Sequence, residues 1–192
     1  PFREIDLLHI SYKITSDSYY LEQINQIAQF GCLGKYKNIL SFSASDEYAI
    51  THTIFYITDF GNLDWNENIL SKKQLNILVT ILCEQAKLKN DIDIFGEYLL
   101  CKQYLNFPKN EIEEDLSVMY QMQNKETGFW NGPTELEKIL TKDGFKPESF
   151  PFFKNYHTSI VVRLAICNYL SGDKKERKTE NHLIKRKELE IK

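Results

Sequence analysis

The chain holds 192 residues and 22.6 kDa, with 42% apolar and 27% charged residues, which is enough to bury a real core and unlike a disordered chain. A formal net charge of −3 disfavours a nucleic-acid partner held by bulk electrostatics, and no apolar run reaches the roughly 18 residues of a membrane span. Only 8 glycines and 5 prolines punctuate the chain, which favours long helices over many-turned β architectures.

Helix-period spacing recurs from the start. Pro1 opens a predicted helix over 2–15, with Ile5, Leu8 and Tyr12 on one side. A second is expected over 18–31, closing at Gly31, and a linker follows from Lys35 to Ser45. Ser45-Asp46 reads as the cap of a third helix, 47–60, stopped by Gly61. Ser71 opens the fourth, 71–89, with Leu75, Leu78, Val79 and Leu82 in helical register. The fifth spans 91–106 before Pro108, and Asn110 is expected to cap the sixth, 110–123. A loop with Gly128, Gly132 and Pro133 precedes a short helix at 134–141. Pro147 and Pro151 break the chain before a last helix, 155–170, ending at Ser171-Gly172. Beyond it lies a charged tail, 173–192, with eight Lys/Arg against five Asp/Glu, which reads as solvated and partly helical. Residues 1–172 form the expected helical domain. The abrupt opening, with no Met, suggests an N-terminal portion absent from this chain.

The helices alternate in character. Those at 47–60, 92–105 and 157–170 are apolar around most of their circumference, and those at 18–31, 71–89 and 110–123 are amphipathic. Helices apolar all round are buried, whereas amphipathic ones cover a surface. The pattern predicts an all-α fold: an α/α-toroid-like or helical-solenoid array of antiparallel helix pairs, with about four inner helices and hence an incomplete ring. An ordinary helical bundle is the alternative.

The run Gln123-Asn124-Lys125-Glu126-Thr127-Gly128-Phe129-Trp130 resembles the Gln…Gly-x-Trp element of terpenoid-cyclase and protein-prenyltransferase α/α toroids, with one more residue after the glutamine. That resemblance implies a structural role, an amide capping a helix while the aromatic stacks beneath it. The stretch Asp46 to Gly61 is similar to an uncharacterised bacterial helical family.

If the inner helices run parallel, their N-terminal ends converge at one mouth. The polar residues there are Arg3, Asp6, Tyr48, His52, Asp93, Glu97, Tyr156 and His157. Ionisable groups on buried helices are costly unless paired or bound to something, which makes them the site candidates. His52, Asp93, Glu97 and His157 are the candidate catalytic residues; Arg3, Asp6, Tyr48, Trp130 and Tyr156 are the candidate ligand-binding ones. Asp93 and Glu97 are one turn apart on one face, and His52 and Asp59 share another. Three readings stay open: divalent-metal ligation by His52, His157, Asp93 and Glu97, acid/base chemistry, or plain structural pairing. In the last, Asp93 caps its helix, Glu97 meets Arg3 or Lys102, and the histidines bond carbonyls. The aromatic run Phe150-Pro151-Phe152-Phe153 beside His157 reads as packing or as a lid. His9 is a weaker candidate for the cavity, and His182 reads as solvated.

No Walker A, G-x-G-x-x-G or G-x-S-x-G motif occurs. Cys32, Cys83, Cys101 and Cys167 read as buried thiols in a reducing cytoplasm. The expectation is therefore a cavity for a small molecule or peptide, in a bacterial biosynthetic or modifying enzyme. The rival is a non-catalytic helical-repeat module that binds a protein partner or a second copy of itself; metal and cofactor stay unassigned.

Overall fold

The computed structural model describes residues 2–34, 42–133, 142–144, 146 and 150–190. Among them lie seven helices and no strand: α1 (Phe2–Thr15), α2 (Ser18–Phe30), α3 (Ala44–Ile57), α4 (Lys72–Leu88), α5 (Ile92–Tyr104), α6 (Lys109–Gln121) and α7 (Phe150–Glu190). The all-α class is as the periodicity implied. The segment 35–41 of the expected linker and the short helix expected at 134–141 lie outside the described residues.

Local chemistry sets the helix starts. Ser43 and Asp46 form a reciprocal capping box, so α3 begins at Ala44, earlier than a Ser45-Asp46 cap would place it. Asp17, Ser71 and Asp91 each accept a backbone N–H at the head of α2, α4 and α5. Asp91 thus takes the capping place that Asp93 was expected to fill. At α6 the cap position is Pro108, with no side-chain bond, and Asn110 already lies inside the helix. Pro151 sits in the first turn of α7, where a missing N–H leaves nothing unsatisfied. The aromatic run at 150–153 is therefore the opening of a helix and not a loop. Nor does α7 stop at Ser171-Gly172; it continues unbroken to Glu190. One interior glycine costs only about 1 kcal/mol relative to alanine, and no proline follows to end the helix.

Four helices pack as a row. α1 lies on α3, α3 on α5, and α5 on α7, while α2 packs on α1 and α3, and α4 and α6 on α5. Contacts along the row keep step in sequence: Asp93 meets His157, Gly96 lies against Val161 and Val162, and Gln103 donates to the Ala165 carbonyl. Partner numbers rise together, so α5 and α7 run parallel. The same holds for α3 and α5, through Tyr48–Asp93 and Thr51–Glu97, and for α1 and α3, through Asp6–Tyr56 and His9–Asp59.

α5 is the centre. Twelve of its thirteen residues are buried, including Phe95, Tyr98, Leu99 and Leu100. Gly96 brings α5 and α7 close, for a Cβ there would stand 3.0 Å from Val161 Cγ1 and 3.4 Å from Val162 Cγ2. On its outer side, buried Lys102 and partly buried Lys87 hold the Asp115 carboxylate, each at 2.6 Å, and tie α4, α5 and α6 together. Lys102 therefore belongs to Asp115 and not to Glu97. α7 departs from expectation: Val162 and Ala165 are fully buried, yet Ile160 and Leu164 on its far side lie open.

Candidate functional site

The N-terminal parts of α3, α5 and α7 converge on Asp93. Its carboxylate is buried at 3% exposure and receives three hydrogen bonds. Tyr48 OH donates to Oδ2 at 2.5 Å, Thr158 Oγ1 donates to Oδ1 at 2.6 Å, and His157 Nδ1 lies 2.9 Å from Oδ1. Burial alone would raise the Asp93 pKa, but the bonds from His157, Thr158 and Tyr48 outweigh it and hold the carboxyl below its ordinary range. His157 shifts the opposite way: its bond to Asp93 raises its pKa against the lowering effect of burial, helped by the charges of Asp93 and Glu97. Burial first, then the charge of Asp93, pushes the Tyr48 phenol far above its usual range, so it stays a neutral donor.

One turn along, Glu97 is buried at 2% exposure, accepts a short bond from Thr51 Oγ1, and has His52 Nε2 3.5 Å away. A further turn on, Tyr56 is bonded to Asp6 of α1, and burial followed by that bond raises its phenol. Tyr48, His52 and Tyr56 recur every fourth residue and make one polar and aromatic stripe down α3, with the His52 ring 6.4 Å from Tyr48 and 6.1 Å from Tyr56.

The stripe opens at the His157 end. Tyr48, Asp93, Pro133, Phe153, Tyr156 and His157 line a pocket of about 380 Å³, with Lys154 and Thr158 also on its wall. The His157 side chain is 52% exposed against 4% for Asp93. With Nδ1–H directed at Asp93, the neutral ring presents Nε2, which has no partner among the described residues.

Each candidate catalytic and ligand-binding residue has a place, while the His182 side chain lies outside those described. Asp93, His157, Tyr48 and Tyr156 meet in the pocket; His52, Glu97 and Asp6 extend the network behind it. Arg3 is exposed on α1 and takes no part. Trp130 is buried at 3%, and its Nε1 donates to the Met119 carbonyl, so it belongs to the core and not to the pocket. The Gln123 amide caps the Gly128 carbonyl of its own loop, which turns at Gly128 with φ +72°, so this element is structural.

His52 and Asp59 do not form a pair. Asp59 accepts from Lys13 at 2.9 Å and lies 2.8 Å from His9 Nε2, and His9 is buried between Tyr56 and Phe60. All four cysteines are free; Cys83 and Cys101 are buried as expected, but Cys32 is half-buried and Cys167 exposed. Thr51 and Thr158 were not read from sequence, whereas Phe153 was read only as part of an aromatic run for packing or a lid. Thr51 and Thr158 had a signal, since each hydroxyl interrupts an otherwise apolar helix beside a site candidate. Among the described residues, no three His, Cys, Asp or Glu side chains are grouped so as to hold a metal ion.

A family model for a domain of unknown function, DUF6895, matches residues 1–167. The chain belongs to that family. No curated protein and no solved structure matches the chain. Among the described residues, no DUF6895 helix is long and apolar enough to cross a membrane.

The cluster can do one kind of chemistry directly. A carboxylate that orients an imidazole on Nδ1 and stabilises its protonated form makes Nε2 an acceptor for a proton from a bound group. The aromatic walls supply contact area for an apolar or ring-bearing ligand.

Proposed function

We propose that this domain binds a small molecule or peptide in the pocket between α3, α5 and α7 and transfers a proton through His157. The observation that carries the reading is a buried Asp93, held by three donors, orienting a half-exposed histidine on a pocket wall. His157 Nε2 takes the proton from a hydroxyl, thiol, amine or water of the bound molecule, and Asp93 stabilises the imidazolium. Tyr48 and Thr158 fix the carboxylate; Phe153 and Tyr156 hold the ligand. The parallel row with its return helices supports an α/α-toroid-like arc, and free thiols suit a cytoplasmic setting. A bacterial biosynthetic or modifying enzyme is the corresponding role.

5-Nitrobenzisoxazole, whose ring opens when a base takes its C–H proton and the N–O bond breaks, tests the proton-accepting imidazole without knowledge of the natural ligand. Ring opening by the native chain should exceed that of His157→Gln by about a hundredfold, the lower end of the usual scale of general acid–base catalysis, with Asp93→Asn between them. Equal rates in all three would sink the reading. A second reading, a non-catalytic module that binds protein through helix faces, is favoured by the apolar surfaces left open on α1 and α7. Under it, His157→Gln leaves every interaction of the domain intact.

A further inference from the structure

The pocket beside His157 holds more chemistry than the proton acceptor. Lys154 and His157 are three residues apart on α7, which places them on one face, and both stand on the pocket wall. The other polar groups there are mostly occupied. Tyr48 OH and Thr158 Oγ1 both donate to Asp93, and Asp93, the single acidic residue among the described wall residues, turns its oxygens to three donors. What remains for a ligand is His157 Nε2, the Tyr156 hydroxyl and the Lys154 ammonium, whose three donors leave two even beside one partner. Pro133, Phe153 and the Tyr156 ring make the rest of the wall apolar. The loop that carries Pro133 is clamped to α7. Gly132 rides so close that a Cβ there would collide with the Lys154 carbonyl oxygen, and its N–H donates to Asn155 Oδ1 at 3.1 Å.

We propose that the molecule on which His157 acts is a small carboxylic acid with an apolar body: Lys154 Nζ holds the carboxylate, and the proton to be removed lies beside His157 Nε2. This rests on the proton-transfer reading of the same pocket. Charge chooses the class. A cation on a wall whose one carboxylate is buried and bonded favours an anionic ligand and disfavours an amine or a peptide N-terminus. The kind of anion follows from the donor set. Phosphate is commonly held by bidentate arginine or a cradle of backbone amides; the described wall residues include one ammonium and no arginine, which suits a monoanion. Size restricts the ligand further: about 380 Å³ lies near the lower end of small-molecule sites and takes one ring with a short chain. Helical residues three apart have Cβ atoms about 5–6 Å from one another, so a ligand spanning both groups needs only a few bonds between carboxylate and acidic proton.

Hydrocinnamate and its neutral amide share a shape and differ in headgroup charge, and calorimetric titration of the full chain with each reads the choice. The native chain should bind the acid at least about tenfold more tightly, the smallest effect usual for a hydrogen bond to a charged group. Lys154→Met keeps an apolar stem and loses the charge, so acid and amide should bind it alike, while Lys154→Arg should keep the preference. Circular dichroism checks that both variants fold, and the native comparison needs neither. Equal binding of acid and amide by the native chain overturns the proposal, as does an acid too weak to titrate or a preference that survives in Lys154→Met. The ring-opening assay separates this from the proton transfer itself. A native chain that opens 5-nitrobenzisoxazole yet shows no preference for the acid loses the substrate class alone. One that prefers the acid without opening the ring keeps the carboxylate assignment and loses the proton transfer.

Discussion

Asp93 and His157 titrate toward each other's advantage, and the sign of each shift fixes the pH window in which the pair matters. The raised pKa of His157 contributes stability that is complete below the ordinary histidine value of about 6.5 and is lost as pH rises through the folded value. The lowered pKa of Asp93 contributes stability that is present above about 3.8 and is lost as pH falls through the folded value. The pair therefore acts most fully between about pH 4 and 6.5, and its effect on unfolding is small because His157 is half in water. Its effect on the ring is easier to see. In an NMR titration, the His157 midpoint should lie above about 6.5 in the native chain and fall in Asp93→Asn. A midpoint indifferent to that substitution would remove the carboxylate's role.

At the scale of elements, the site depends on how closely α5 and α7 approach. Asp93 lies one turn before Gly96, and its partners His157 and Thr158 lie one turn before Val161 and Val162. Filling the gap at Gly96 would push the two helices apart where they hold the carboxylate. Gly96→Leu should cost about 1–3 kcal/mol in urea unfolding, the usual penalty of overpacking, and should lower the His157 midpoint as Asp93→Asn does. If the variant loses stability while that midpoint holds, the helix approach and the dyad are independent.

The turn after α3 shows a different economy of the backbone. Asp59, Phe60 and Gly61 all take positive φ, at 44°, 55° and 84°, and a Cβ on Gly61 would stand 2.8 Å from Tyr104 Cδ1. Phenylalanine is a poor residue for that conformation, and its ring is retained against Phe55, Tyr104 and His9.

At the scale of the whole molecule, α5 packs on α3, α4, α6 and α7, so its amides can open only when the molecule comes apart. In native-state hydrogen exchange, Phe95 to Cys101 should be the slowest amides, exchanging at the rate set by global unfolding. The amides of α1 should exchange faster; equal protection along the row would contradict a single central helix.

The periodicity of the chain carried this much. A run as apolar as 92–105 had to be interior, and two carboxylates inside it had to meet donors. Which donors they would meet was not legible, because the register between helices more than 40 residues apart leaves no local mark. Glu97 was expected to meet Arg3 or Lys102 and instead meets Thr51 and His52. Nor did the all-round apolarity of α7 reveal that only one of its sides would be covered within the chain. The end of α7 was misplaced for a simpler reason: a serine-glycine pair permits a stop without requiring one.

Asp93 and His157 are 64 positions apart, and Gln103 and its Ala165 partner 62. A ribosome adding about 5–20 residues per second leaves α5 without α7 for roughly 3–13 seconds. Throughout that interval the central helix, twelve of whose thirteen residues end up buried, has one flank open to solvent and other nascent proteins. Expression at lower temperature, or with a chaperone that shelters emerging chains, should therefore raise soluble yield more for this protein than its folded surface alone would suggest.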